Sequence, residues 1–257
     1  MNRTRALAAM LCMVAFTACD ENAVQVIAGP AATARVKFFN FGVNAPGVNF
    51  YANTTKMTAI SSTTGVESTT GVIYGGVGSG GFYSSIEPGT YTLTGKIAAT
   101  VDKDLVIATL PGVIENGKAY SVFMSGFYNT VAKTSDGFVV EDAFPADIDF
   151  AVAHVRFVNG ISNAAAMQLI ATSTTTATLV DTIGGVITYK GAGAFEAVVP
   201  GVYNVATRYA GAGTNAIVRT NVSFVAGRVY TIGARGDITV VSTTATNRPF
   251  LDNTANR

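Results

Sequence analysis

The chain has no tryptophan, one histidine, His154, and two cysteines, and Asp, Glu, Lys and Arg together make up only 13% of its 257 residues. A single histidine excludes any triad that needs a second one, and two cysteines confined to positions 12 and 19 leave no Cys/His zinc set. The 17 basic and 16 acidic side chains give a net charge of +1, which carries no electrostatic footprint for nucleic acid. No stretch beyond the first 18 residues shows a helical period.

What is present begins with the N-terminus. Met1-Asn2-Arg3-Thr4-Arg5 is followed by an apolar run from Ala6 to Phe16 and then by Thr17-Ala18-Cys19, the order of an export signal. About eleven apolar residues are too few to span a bilayer, which needs roughly 20. Phe16-Thr17-Ala18-Cys19 resembles the lipobox of bacterial lipoproteins, although Phe16 stands where an aliphatic residue is usual. The resemblance implies cleavage before Cys19, acylation of its thiol and stable membrane attachment through the added chains. The competing reading is an ordinary secretory signal cut near Ala18. Cys12 has no small residue before it for the peptidase. Loss of residues 1–18 takes Arg3 and Arg5 from the 17 basic side chains, leaving 15 against 16 acidic and a net charge of −1. It also leaves one cysteine, so no disulfide forms within the mature chain and core burial must supply stability. Residues 19–33 read as a flexible tether with a reach of roughly 20 Å.

Three motifs then occur twice in the same order. Ala34-Arg35-Val36-Lys37-Phe38-Phe39-Asn40 recurs as Ala153-His154-Val155-Arg156-Phe157-Val158-Asn159, displaced by 119 positions. Glu87-Pro88-Gly89-Thr90-Tyr91-Thr92-Leu93 recurs as Val199-Pro200-Gly201-Val202-Tyr203-Asn204-Val205, displaced by 112. Gly117-Lys118-Ala119-Tyr120-Ser121-Val122 recurs as Gly227-Arg228-Val229-Tyr230-Thr231-Ile232, displaced by 110. Shrinking displacements are what loop deletions leave in two copies of one unit.

Each copy reads as all-β, with short runs of Val, Ile, Thr, Phe and Tyr punctuated by Gly, Pro, Asn and Ser. The Pro-Gly pairs at 88 and 200 suit type II turns joining neighbouring strands, 82–87 to 91–97 and 193–199 to 203–209. Alternation along a strand sends Val36, Phe38, Val155 and Phe157 into a core and Arg35, Lys37, His154 and Arg156 to water. The same parity sends Tyr91, Tyr120, Tyr203 and Tyr230 inward, where each hydroxyl needs a loop carbonyl or equivalent partner.

These repeated motifs in an exported chain resemble the bacterial family called domain of unknown function 4397 over roughly residues 34–243. The resemblance implies tandem immunoglobulin-like or transthyretin-like antiparallel β-sandwich domains in envelope proteins, and brings no catalytic residues. The organisation expected is a signal peptide at 1–18, a tether at 19–33, domains at 34–142 and 153–243, a linker at 143–152 and a disordered tail at 244–257.

Candidate chemistry is sparse. Gly76-Val77-Gly78-Ser79-Gly80-Gly81 fits G-x-G-x-x-G, but a strand-like stretch follows where a dinucleotide site needs a helix, so a loop is expected. Ser79 lacks the first glycine of a nucleophile elbow. Asp147 and Asp149, in the acidic junction, are a weak calcium candidate with hard oxygen ligands, set against a solvated linker. Phe39, Phe41 and Tyr51 fall at outward parity where copy two has Val158, Gly160 and Ile170, and so form a candidate partner surface. The sequence therefore leads to a membrane-anchored envelope lipoprotein, lipidated at Cys19, with a non-catalytic binding or structural role and no cofactor. Its expected partners are the membrane, through the lipid anchor, and an envelope protein or glycan. A secreted adhesion or glycan-binding module would share the fold without the anchor, and an envelope hydrolase would need a carboxylate pair that no spacing here supplies.

Overall fold

The computed structural model describes residues 33–58, 69–176 and 179–256. Every regular element long enough to carry the fold is a strand. In copy one, β1 (Ala34–Asn40), β4 (Ser84–Ile86), β7 (Ala119–Asn129) and β8 (Thr134–Glu141) form a sheet ordered β4-β1-β7-β8. The second sheet of that copy, ordered β3-β2-β5-β6, contains β2 (Val48–Ala52), β3 (Thr55–Lys56), β5 (Gly89–Ile97) and β6 (Val106–Ile114).

Copy two repeats this plan. Here β9 (Ala153–Asn159), β12 (Gly191–Ala192), β13 (Glu196–Val198), β16 (Val229–Arg235) and β17 (Phe250–Ala255) form one sheet, with β12 and β13 beside successive parts of β9 and the order continuing β9-β16-β17. The other, ordered β11-β10-β14-β15, contains β10 (Met167–Ser173), β11 (Val180–Ile187), β14 (Gly201–Tyr209) and β15 (Ile217–Phe224). In both copies the first strand runs parallel to the strand carrying the third repeated motif, β1 with β7 and β9 with β16, while the other pairs are antiparallel. The parallel pairing is a departure from the all-antiparallel sheets expected. It follows from a chain path that returns to its first strand only after building the opposite sheet.

Each pair of sheets encloses one apolar core. Val36, Phe38, Phe50, Leu93, Ile107, Val122 and Met124 fill that of copy one, and Val155, Phe157, Leu169, Val205, Phe224 and Ile232 that of copy two, all nearly inaccessible. The inward set assigned by parity is thus correct. The tyrosines behave as pairs of equivalents. Tyr91 and Tyr203 donate to the carbonyls of Glu87 (2.8 Å) and Val199 (2.7 Å), each four residues back. Tyr120 and Tyr230 instead accept from the backbone N–H groups of Glu115 (3.2 Å) and Val225 (3.1 Å).

Those tyrosines also correct the reading of Pro-Gly. Gly89 and Gly201 are not among the residues with positive φ, so neither pair forms a type II turn. The strands on either side lie in different sheets, because β4 pairs with β1 and β5 with β2. A Cβ at Gly89 or Gly201 would sit 3.5 or 3.4 Å from the ring of Tyr91 or Tyr203. Glycine is therefore used to let the ring lie against the corner while its hydroxyl ties the corner closed. A second correction concerns the C-terminus. Residues 250–255 are not a disordered tail but β17, the ninth and last strand of copy two, with Leu251 fully buried in its core.

Candidate functional site

Strands β1 and β9 are buried on both faces of their sheets. Every residue of β9 is buried, as is every residue of β1 except Arg35. Their outer faces meet each other, and the meeting is reciprocal. Lys37 of copy one donates to the Ala255 carbonyl and to Asn256 Oδ1 at the end of β17, both at 3.0 Å. Arg156, its equivalent in copy two, donates to the Glu141 carbonyl at 3.0 Å and pairs with Asp142 at the end of β8. Pairing of Tyr120 with Glu141 and of Tyr230 with Ala255 makes Asp142 and Asn256 equivalents too. The cations lie over equivalent rings, Lys37 over Tyr83 at 4.3 Å and Arg156 over Phe195 at 4.7 Å. Such mutual exchange is the pattern of an isologous dimer contact, here made within one chain.

Lys37 and Arg156 are each only 1% exposed, and His154 7%, which corrects their assignment to water. The reason is that parity gives a side chain's face but not what covers that face. Asp142 offsets part of the buried charge. Its carboxylate also accepts from Ser121 Oγ (2.8 Å) and Tyr83 Oη (2.6 Å), while Arg156 Nε donates to Thr231 Oγ1 (3.0 Å). Burial pushes the Tyr83 phenol well above its usual range, and the adjacent Asp142 carboxylate adds to the shift. Burial likewise lowers Lys37 to about 8, against the opposing pull of Asp142 and with a smaller push from Arg156.

The sign of that shift gives a prediction. Between about pH 8 and pH 10.5 the folded protein holds Lys37 neutral while the unfolded chain still binds the proton, so stability must rise with pH across this window. Relative to Lys37→Met, wild type should gain on the order of 1–2 kcal/mol there in denaturant titrations. Asn256→Asp supplies the counter-ion that symmetry with Asp142 suggests, and should abolish the gain. Equal pH profiles for wild type and Lys37→Met would refute the account.

The two cations belong to one buried network, since Asn256 also donates to the Thr231 hydroxyl that accepts from Arg156, and beside it lies an apolar layer of unequal halves. Phe39, Phe41, Phe123 and Phe138 of copy one pack with Val158 of copy two. Phe123 stacks on Phe39 at 4.5 Å and on Phe138 at 4.9 Å, and Phe41 meets both Phe39 and Phe123. Opposite Phe41, a Cβ at Gly233 would come within 2.8 Å of the ring and one at Gly160 within 3.0 Å. Equivalence pairs Phe41 with Gly160 and Phe123 with Gly233, so copy one supplies the knobs and copy two the hole. Phe39 and Phe41, 2% and 1% exposed, are consequently an internal surface and not the outward partner face expected. Tyr51 is not brought to them. It lies half-buried on the opposite sheet, under Lys96 at 4.2 Å.

The other predicted residues fall as follows. Cys19 and the signal and tether preceding Thr33 lie outside the described residues. Asp147 and Asp149 are exposed, Asp149 accepts from the Ala151 N–H at 2.8 Å, and no cluster of three His, Cys, Asp or Glu side chains occurs among the described residues. Asp142, from the same acidic stretch, is the carboxylate that matters and sequence reasoning passed over it. Phe144 of the expected linker is wedged at 6.1 Å from Tyr83 and 5.4 Å from Phe195, so this segment packs on both copies. Ser79 adopts φ 52° in the glycine loop, donates to the Met57 carbonyl at 3.3 Å, and is followed by β4, as the loop reading requires.

Where that loop approaches the edge of β17 there is a groove of about 430 Å³, lined from copy one by Val77 and Gly80 to Tyr83 and from copy two by Arg228 and Asn253 to Asn256. It holds one cation and no carboxylate. Neither a family model nor a curated protein matches the chain.

Proposed function

We propose that the chain is a lipid-anchored lipoprotein of the bacterial cell envelope that works by binding or structural presentation, without catalysis. The observation that carries this reading is Cys19, placed directly after a positive, apolar and small-residue leader. The resemblance to domain of unknown function 4397, carried by the repeated motifs, favours the same compartment. The non-catalytic part is supported by where the titratable groups are spent. His154 is 7% exposed within the buried sheet contact, and Asp142 and Arg156 neutralise each other there.

Cys19→Ala is the test of the anchor. In a bacterial host, wild type is expected in the membrane fraction with a diacylglycerol-bearing N-terminal peptide beginning at residue 19. The variant should be released or remain unprocessed, and wild type recovered wholly soluble with an unmodified N-terminus would replace the lipoprotein reading by the secreted one.

A further inference from the structure

We infer that the groove between the glycine loop and β17 binds a saccharide carrying a carboxylate. The inference deepens the binding role proposed above and is independent of the anchor. It starts from the free edge of β17. Asn256 N–H donates to the Val229 carbonyl at 2.7 Å, which makes residues 252, 254 and 256 the ones whose backbone groups face β16. The N–H and C=O groups of residues 251, 253 and 255 therefore point away from the sheet. Two of these three carbonyls are already taken. Arg219 donates to that of Leu251 at 2.7 Å and Lys37 to that of Ala255 at 3.0 Å. Between them Asn253 keeps its N–H and C=O without partners among the described residues, and its side-chain Oδ1 is buried and likewise unpaired.

A ligand for this edge must donate and accept at one residue. An added β-strand does so, but it needs consecutive outward residues, and the two cationic side chains stand on either side of Asn253. A strand could make no more than one residue's worth of ladder. Two hydroxyls on adjacent carbons of a sugar ring meet the same demand in a compact unit, one donating to the carbonyl and the other accepting from the N–H of the same residue.

The rest of the groove fits that ligand. Phe82 is 76% exposed and faces the groove's opening from the copy-one side, an apolar ring of the kind on which the C–H face of a sugar packs. It is presented by Ser79, Gly80 and Gly81, three consecutive residues at φ 52°, 65° and 86°, a conformation the two glycines adopt freely and Ser79 only where the surroundings hold it. Arg228, exposed at the other side, is the groove's cation and with no carboxylate in the lining selects for an acidic substituent.

The test uses the purified full-length protein with trigalacturonate, maltotriose and the tetrapeptide Val-Thr-Val-Thr as probes. Trigalacturonate should bind and shift the Asn253 backbone amide resonance. Phe82→Ala and Arg228→Ala, both at exposed positions, should each weaken it roughly tenfold. No saturable trigalacturonate binding, equal binding of maltotriose, unchanged affinity in both variants, or a shift of Asn253 produced by the peptide alone would each overturn the inference. Failure here is separable from failure of the anchor. A lipidated protein that binds no saccharide refutes only the groove, and an unlipidated one that binds trigalacturonate refutes only the anchor.

Discussion

Asp142→Asn is expected to destabilise the folded chain by about 3–5 kcal/mol, the usual cost of breaking a buried ion pair from one side. The carboxylate is fully buried against a guanidinium that is itself 1% exposed. Removing its charge leaves Arg156 and Lys37 as two buried cations with no anion between them. Asparagine keeps the volume and one acceptor oxygen, so the loss reports charge and not packing. Two further variants isolate the mechanism. Arg156→Met alone should cost less, because the Asp142 carboxylate it strands still accepts from Ser121 and Tyr83 and keeps Lys37 as a nearby cation. Asp142→Asn combined with Arg156→Met should recover much of the stability lost by Asp142→Asn, since replacing both members of a buried pair is often close to neutral. Chemical denaturation of the four proteins gives the coupling directly. Additive losses would show that Asp142 acts through its bonds to Ser121 and Tyr83 and not through the pair.

How far this arrangement can be read from the sequence depends on the kind of signal. The inward faces are legible because alternation is a local property: Val36, Phe38 and Leu93 repeat as Val155, Phe157 and Val205, and all six are buried. The covering of the outer faces is not local. Lys37 and Arg156 read as solvated because long cations are rarely buried unless paired, and the pairing partner, Asp142, sits in a stretch that resembles a linker. A usable clue existed in size complementarity: Phe41 and Phe123 of copy one stand against Gly160 and Gly233 at the equivalent positions of copy two. Taken as a difference between copies it suggests a surface that only one copy has. Taken as a fit it predicts that the copies bind each other. β17 was hidden for another reason. Its partner connection spans 236–249, where β7 and β8 are joined across 130–133, and Asp252-Asn253 within it are residues depleted in strands. The groove beside it is legible only once the edge of that strand is known.

Phe41→Ala should cost about 3–5 kcal/mol, the range for truncating a buried phenylalanine, and should also change how the protein unfolds. The ring is 1% exposed, lies between the rings of Phe39 and Phe123 on one side and Gly160 and Gly233 on the other, and touches neither sandwich core. Its loss weakens the contact between copies while leaving each core intact. Wild type is expected to melt in one transition because the copies share this layer and the buried ionic network. In Phe41→Ala the transition should broaden or divide, with proteolysis at 143–152 releasing folded fragments, so the separability suggested by the repeat belongs to the variant. Gly233→Val attacks the same contact from the other side. Its Cβ would fall 2.8 Å from a ring that cannot retreat, because Phe123 stands 5.3 Å away, centroid to centroid, and overpacking of this kind costs about 1–3 kcal/mol. The double variant, with the knob removed and the hole partly filled, should be more stable than the sum of the single losses predicts. Calorimetry on all four proteins decides the matter. An unchanged single transition in Phe41→Ala, or strictly additive losses, would mean that knob and hole do not hold the copies together and that the buried charges alone do so.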